Sequence, residues 1–228
     1  MPRKPQSRGT CTYCGTEFAK SGAGRHLKKC SERQEAIEAA LNTSRRREPI
    51  WHLRIEDANN KDFWLDLEMR GSASLNKLDR YLRAIWLECC GHLSEFTIGG
   101  FGGNTIGKSR KADAVFQAGM KLDHLYDFGT TSETTIKVVD VRKGAAISKN
   151  PIELMARNHQ PEANCSVCGK PANWLCIECL YEENEAGWFL CDEHAETHPH
   201  DDYGEPMSLH NSPRTGYCGY AGPAEPPY

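Results

Sequence analysis

Apolar residues alternate with polar ones through Trp51, Leu53 and Ile55, and again through Phe63, Leu65, Leu67 and Met69. A period of two marks a strand with one buried face. Asn59-Asn60 supplies turn residues between the runs, so this stretch predicts a β-hairpin. The period then lengthens. Leu75, Leu78, Leu82, Ile85 and Cys89 recur at helical spacing behind Ser74, a capping residue; Tyr81 and Trp86 widen the stripe, and Gly91 ends it. A strand is predicted over 93–98, followed by a glycine-rich loop, a helix from Arg110 to Ala118, and strands over 122–128 and 134–141. Strands and helices without regular βαβ alternation predict an α+β domain over residues 50–150, a central mixed sheet with helices.

The flanks follow neither period and are rich in Cys and His instead. At the N-terminal end the spacing is Cys11-x2-Cys14-x11-His26-x3-Cys30. Gly15 supplies a sharp turn after the first pair, Phe18 a core aromatic, and a short helix around Gly24–Cys30 places His26 and Cys30 one turn apart. These features predict a CCHC finger over residues 1–32, closed by four ligands. Ser31 opens a helix predicted to run to about Ser44 and on into a basic helical linker over 33–49.

Toward the other end, Cys165-x2-Cys168-x7-Cys176-x2-Cys179-x11-Cys191-x2-His194-x3-His198-x-His200 offers ligands for two metal ions in a module over 160–205. The short gap between the first knuckles favours a cross-braced order resembling B-box and RING modules. Cys165, Cys168, Cys191 and His194 then form one site, and Cys176, Cys179, His198 and His200 the other. A sequential order remains open, as does His210 in place of His200. With four protein ligands each, such sites are closed and structural rather than catalytic. Trp174, Leu175, Ile177, Trp188, Phe189 and Leu190 supply the small core around them. Zn2+ is the expected cofactor, three ions per chain. Residues 206–228 read as a turn-rich tail packing back onto this module. Cys218 is expected to be a lone thiol, and Cys89-Cys90 to serve core packing.

Composition narrows the compartment. The N-terminal start is polar and basic with no apolar run behind it, and no stretch approaches the ~20 apolar residues that cross a bilayer. The eleven cysteines then belong in a reducing cytoplasm, where the knuckle spacing of three pairs favours metal over disulfides. The net charge of −3 conceals a strong gradient: residues 1–50 carry 11 Lys and Arg against 5 acids, residues 51–159 carry 15 against 14, and residues 160–228 carry 2 against 12. The basic end suits DNA or RNA, through Arg25, Lys28, Lys29, Arg45, Arg46 and Arg47; the acidic end suits a protein partner.

Leu78-x3-Leu82-x2-Ile85-Trp86, then His92-Leu93-x2-Phe96-x-Ile98, then Leu125-Tyr126-Asp127-Phe128-Gly129 and a strand resemble the Ri-plasmid ORF-three-like domain, also described as a passenger of insertion elements. The resemblance covers residues 50–145. It implies the α+β fold and a link to mobile elements, but no reaction. Many members continue the last motif with Asp, Trp and His where this chain has Thr130, Ser132 and Thr134, so no role of those side chains carries over.

Gly102-Gly-Asn-Thr-Ile-Gly107-Lys108-Ser109 matches the phosphate-loop pattern GxxxxGK[ST]. The strand before it is short, and the stretch between the metal regions is small for a nucleotide-hydrolysing domain. Nucleotide binding is therefore the third reading. The first is a zinc-binding, non-enzymatic nucleic-acid-associated adaptor; the second is a protein-interaction module whose basic head is merely solvated. No catalytic residue is assigned.

Overall fold

The computed structural model describes residues 6–182, 187–200 and 202–228. Nine strands form one sheet: β1 (Arg8–Cys11), β2 (Glu17–Ala19), β3 (Arg47–Asp57), β4 (Trp64–Arg70), β5 (Ser94–Ile98), β6 (Asn104–Ile106), β7 (Lys121–Tyr126), β8 (Ser132–Ala145) and β9 (Ile152–Asn158). Their order is β2-β1-β9-β4-β3-β8-β7-β5-β6. Every pairing is antiparallel, which corrects the mixed sheet expected from sequence. Short hairpin links dictate this for β1–β2, β3–β4, β5–β6 and β7–β8, since parallel neighbours need long crossovers. Mixed helix and strand content holds, with the sheet dominant.

The β3–β4 hairpin lies where alternation predicts it, with Leu53 paired to Leu67 and Ile55 to Leu65. Asp57 Oδ1 accepts the N–H groups of Asn59 (3.2 Å) and Asn60 (2.9 Å), fixing the turn. On one face, Trp51, Leu53, Ile55, Leu65, Leu67 and Met69 join the main core with Leu75, Leu78, Tyr81, Leu82, Ile85 and Trp86 of the following helix. That helix is α3 (Leu75–Leu82), which widens into a π turn over Arg83–Leu87 before Gly91 turns the chain at φ 82°.

The other face was expected to meet solvent and does not. Two helices, α1 (Ala23–Lys29) and α2 (Ser31–Leu41), come from the N-terminal segment, and Arg33 of α2 reaches Glu68 on this face. The buried Glu68 carboxylate is held between Arg33 (2.5 Å) and Arg142 (2.7 Å). Asp66 is held between His52 and Arg54, each at 2.7 Å. Burial pushes both carboxyls up, and these partners pull them below the usual carboxylate range. Such paired charges specify how the face is covered, because an unpaired one would be costly there.

The N-terminal unit is continuous with the sheet. β1 pairs with β9 as well as with β2, and Trp64 packs among Cys11, Leu27, Met155 and Ala156. Gly9 permits this: a Cβ there would lie 2.2 Å from the Arg157 carbonyl and 2.6 Å from the Trp64 ring.

The helix expected over Arg110–Ala118 is absent; that stretch makes only a 3-10 turn at Ala112–Ala114. It is held instead by contacts to α3, whose first N–H groups at Leu75 and Asn76 donate to the carbonyls of Arg110 and Lys108. Lys108 Nζ turns inward, 2.9 Å from Ser94 Oγ and 3.6 Å from Asp79. Burial favours the neutral Asp79 carboxyl, but hydrogen bonds from His124 and Ser94 and the nearby charge of Lys108 hold it at about 2. The Gly102–Ser109 stretch is thus the β5–β6 hairpin and its exit. It lacks the helix N-terminus that a phosphate cradle uses, and its lysine serves a buried carboxylate.

A second, three-stranded sheet belongs to the C-terminal module: β11 (Phe189–Leu190), β10 (Trp174–Leu175) and β12 (Met207–Ser208), with helices α4 (Ile177–Tyr181) and α5 (Asp192–Glu196). Trp174 pairs with Leu190 and Leu175 with Phe189. The tail packs back onto this module, as expected, through β12 and through Gly216 against Leu175 and Leu180, and it also anchors on the central domain. Ser212 Oγ donates to the Trp86 carbonyl (2.6 Å), and the fully buried Arg214 reaches Asp127 (2.6 Å), Ser132 Oγ (2.8 Å) and the Thr130 carbonyl (2.9 Å). No helix among the described residues is long and apolar enough to cross a membrane.

Candidate metal centres

The chain makes the same local device at two knuckles. After Cys11, Gly15 N–H donates back to the Cys11 carbonyl and Cys11 N–H to Thr16. After Cys165, Gly169 N–H donates to the Cys165 carbonyl and Cys165 N–H to Lys170. Gly15 (φ 70°) and Gly169 (φ 73°) take the left-handed turn that lets both sulfurs of each CxxC face one point. Four further ligands come from helix starts, while His26 and Cys30 sit within and at the end of α1 and His198 and His200 follow α5. Cys176 caps α4 and receives the Cys179 N–H at 3.4 Å, while Cys191 precedes α5 and places His194 one turn on.

Three clusters result: Cys11, Cys14, His26 and Cys30; Cys165, Cys168, Cys191 and His194; Cys176, Cys179, His198 and His200. Within each, the four candidate ligand atoms lie within 4.8 Å of one another. The Cys11–Cys30 sulfurs are 3.9 Å apart and the Cys168–Cys191 sulfurs 3.8 Å. Sulfur to nitrogen is 3.3 Å for Cys14–His26, 3.2 Å for Cys191–His194 and 3.3 Å for Cys179–His198. Zn–S near 2.3 Å and Zn–N near 2.0 Å give tetrahedral edges of roughly 3.8 Å and roughly 3.5 Å, so these side chains can hold a metal ion as they stand. The C-terminal sets interleave along the chain, which is the cross-braced order. His210 lies apart, its ring against Gly222, and His200 completes the last set.

The thiols of one cluster cannot all ionise unaided. Hydrogen bonding to Thr16 brings Cys14 down to about 6, while burial, reinforced by neighbouring thiols, pushes Cys30 up to about 12. Burial opposes ionisation of Cys165, but the N–H groups of Cys191, Cys168 and Val167 bring it to about 6; Cys179 is pushed to about 12 by burial and by Cys176. A divalent cation supplies the charge that lets every ligand act as thiolate.

A fourth cluster was not foreseen: Cys89, Cys90, His92 and Cys218. Cys90 is exposed rather than packed, and Cys218 is not alone. Cys90-x-His92 is the local signal; its partner 128 residues away is visible only once the tail is docked.

Of the basic side chains singled out in sequence, Arg25, Lys29, Arg46 and Arg47 are exposed and make no ion pair with a described residue. Lys28 pairs with Asp140 (3.0 Å), and Arg45 donates to the Ile147 carbonyl (2.6 Å).

No protein-family profile matches the chain, and no curated protein does. Among solved structures, a protein of unknown function from Methanosarcina mazei Go1 aligns at 14% identity over 48% of this chain and 67% of its own, with a TM-score of 0.39.

Proposed function

We propose that this chain is a zinc-dependent, non-enzymatic adaptor that holds nucleic acid at its basic end. The carrying observation is the segregation of charge on a scaffold whose two ends are organised by Cys/His clusters. Zinc is the ion that closed tetrahedral sites of sulfur and imidazole suit best. Arg25 and Lys29 on α1, with Arg46 and Arg47 before and at the start of β3, present charge that no described carboxylate neutralises. Phosphates draw such side chains by releasing counterions. Lys28 and Arg45 are engaged within the chain and contribute less. On this reading the central sheet belongs with the Ri-plasmid ORF-three-like domains, which would place the adaptor beside mobile elements.

Fluorescence anisotropy with labelled duplex and single-stranded oligonucleotides between 50 and 200 mM salt tests the proposal. Four phosphate contacts give a slope of log affinity on log salt of roughly −3.6 for duplex DNA. Changing Arg25, Lys29, Arg46 and Arg47 together to Ala should abolish that slope, whereas Lys28→Ala should change it little. Binding that is absent, or indifferent to salt and to the four-residue variant, rejects the proposal.

The competing reading, a protein-interaction module alone, is favoured by a cleft of about 560 Å³ between the β3–β4 turn and the C-terminal module, where Phe63, Trp188, Leu209 and Tyr217 are among the lining residues. That reading makes the cleft, and not the basic end, the place where substitution abolishes partner capture.

A further inference from the structure

Cys89, Cys90 and His92 follow the π turn that ends the central helix, and Cys218 arrives from the tail. Cys90 Sγ is 3.6 Å from Cys218 Sγ and 3.7 Å from Cys89 Sγ. His92 Nε2 is 3.0 Å from Cys90 Sγ and 3.3 Å from Cys218 Sγ. All four ligand atoms lie within 4.8 Å of one another, as in the other three clusters. We propose that these residues form a fourth metal site, of Cys3His type and suited to zinc, that fastens the C-terminal tail to the central sheet.

Packing contacts converge on the place where Cys218 sits. Arg214, four residues earlier, is buried against Asp127 and over the Tyr126 ring, and Ser212 is bonded to the Trp86 carbonyl. Cys218 itself holds a left-handed backbone (φ 51°), uncommon for a residue with a side chain, and donates its N–H to Tyr181 Oη at 2.8 Å. Tyr181 belongs to α4, the helix that carries Cys179 of a neighbouring cluster. The site therefore sits where central domain, tail and C-terminal module meet.

The surroundings suit a ligated thiolate. Arg214 Nη2 lies 3.5 Å from Cys89 Sγ and Tyr126 Oη 3.7 Å, so a cation and a hydroxyl stand behind that ligand. Asp127 Oδ2 is 3.4 Å from His92 Nε2, but its stronger bond is to Arg214, which leaves it behind the ligands rather than among them. One difference sets this cluster apart. Each of the other three has two buried cysteines, whereas here none of the four ligands is buried. This ion should exchange before the rest.

Native mass spectrometry of the full chain, purified with zinc and without added chelator, should count four zinc ions. Titration with a moderate-affinity colorimetric chelator should release one ion ahead of the others. Cys218→Ser should retain three ions, lose the early phase and keep its far-ultraviolet circular dichroism; His92→Ala, a second route should the first variant fold poorly, should do the same. Cobalt loading should show thiolate charge-transfer absorbance that falls by about a quarter in either variant, in proportion to the sites present. A wild-type count of three, an unchanged count in both variants, or a Cys90–Cys218 disulfide recovered from the zinc-loaded chain overturns the fourth site. A wild-type count of three would leave the other clusters standing, so the two readings fail separately.

Discussion

Chelation at neutral pH should unfold the C-terminal module while the central sheet stays folded. The module's buried apolar cluster consists of Leu190 with the ligands Cys176 and Cys179, edged by partly buried Trp174, Trp188 and Ala195. Apolar burial on this scale cannot offset the chain entropy of some 45 residues, whereas structural zinc contributes roughly 10 kcal/mol or more at neutral pH. The central core is different in kind, with Trp86, Tyr81, Phe96 and a row of aliphatic side chains excluded from solvent. Limited proteolysis with mass mapping is the check: cleavage should concentrate within residues 160–205, and fragments spanning 50–150 should persist. The N-terminal unit should loosen without separating, because β1 pairs with β9 and Arg33 is bound to Glu68. Simultaneous loss of all three regions would show that the metals support the whole fold rather than its ends.

Arg214→Ala should cost about 3–5 kcal/mol, the usual penalty for removing one partner of a buried ion pair. Its guanidinium is fully buried, spans Asp127, Ser132 and the Thr130 carbonyl, and stacks 4.9 Å from the Tyr126 ring centre. Lys cannot reproduce this planar fork, so Arg214→Lys should recover little. Hydrogen exchange should show residues 206–228 losing protection before the central sheet does, and urea denaturation should give the free-energy change. A double-mutant cycle with Asp127→Ala should return a coupling near the larger part of that cost. A change under about 1 kcal/mol would mean the tail is held by other contacts.

What could be read in sequence was whatever is local. CxxC knuckles and the His26–Cys30 turn bring their ligands together within a few residues, so three clusters were visible, as was the β3–β4 hairpin from its alternation. Spacing favoured the cross-braced ligand order in the C-terminal module; the pairing of β10 with β11, which sends Cys176 and Cys191 to opposite ends and into different clusters, selects it. The second face of β4 was misread because Asp66 and Glu68 have the polarity of solvent-facing positions. Arg54 and His52 of the neighbouring strand and Arg33 of α2 neutralise them inside, and no periodicity reveals that. A helix over Arg110–Ala118 lost to carbonyls needed at the start of α3, and β9 went unseen although it joins β4 to β1. The fourth cluster depends on Arg214 docking the tail, a long-range event by nature.

If sulfur–nitrogen cages holding zinc organise the chain, zinc-edge X-ray absorption on the purified protein should report their ligands. Four-coordinate zinc with on average about 2.7 sulfur and about 1.3 nitrogen ligands is expected, at roughly 2.3 Å and 2.0 Å, whether three or all four clusters are filled. An oxygen-rich or six-coordinate shell, or a folded chain carrying no metal, would contradict that role for zinc.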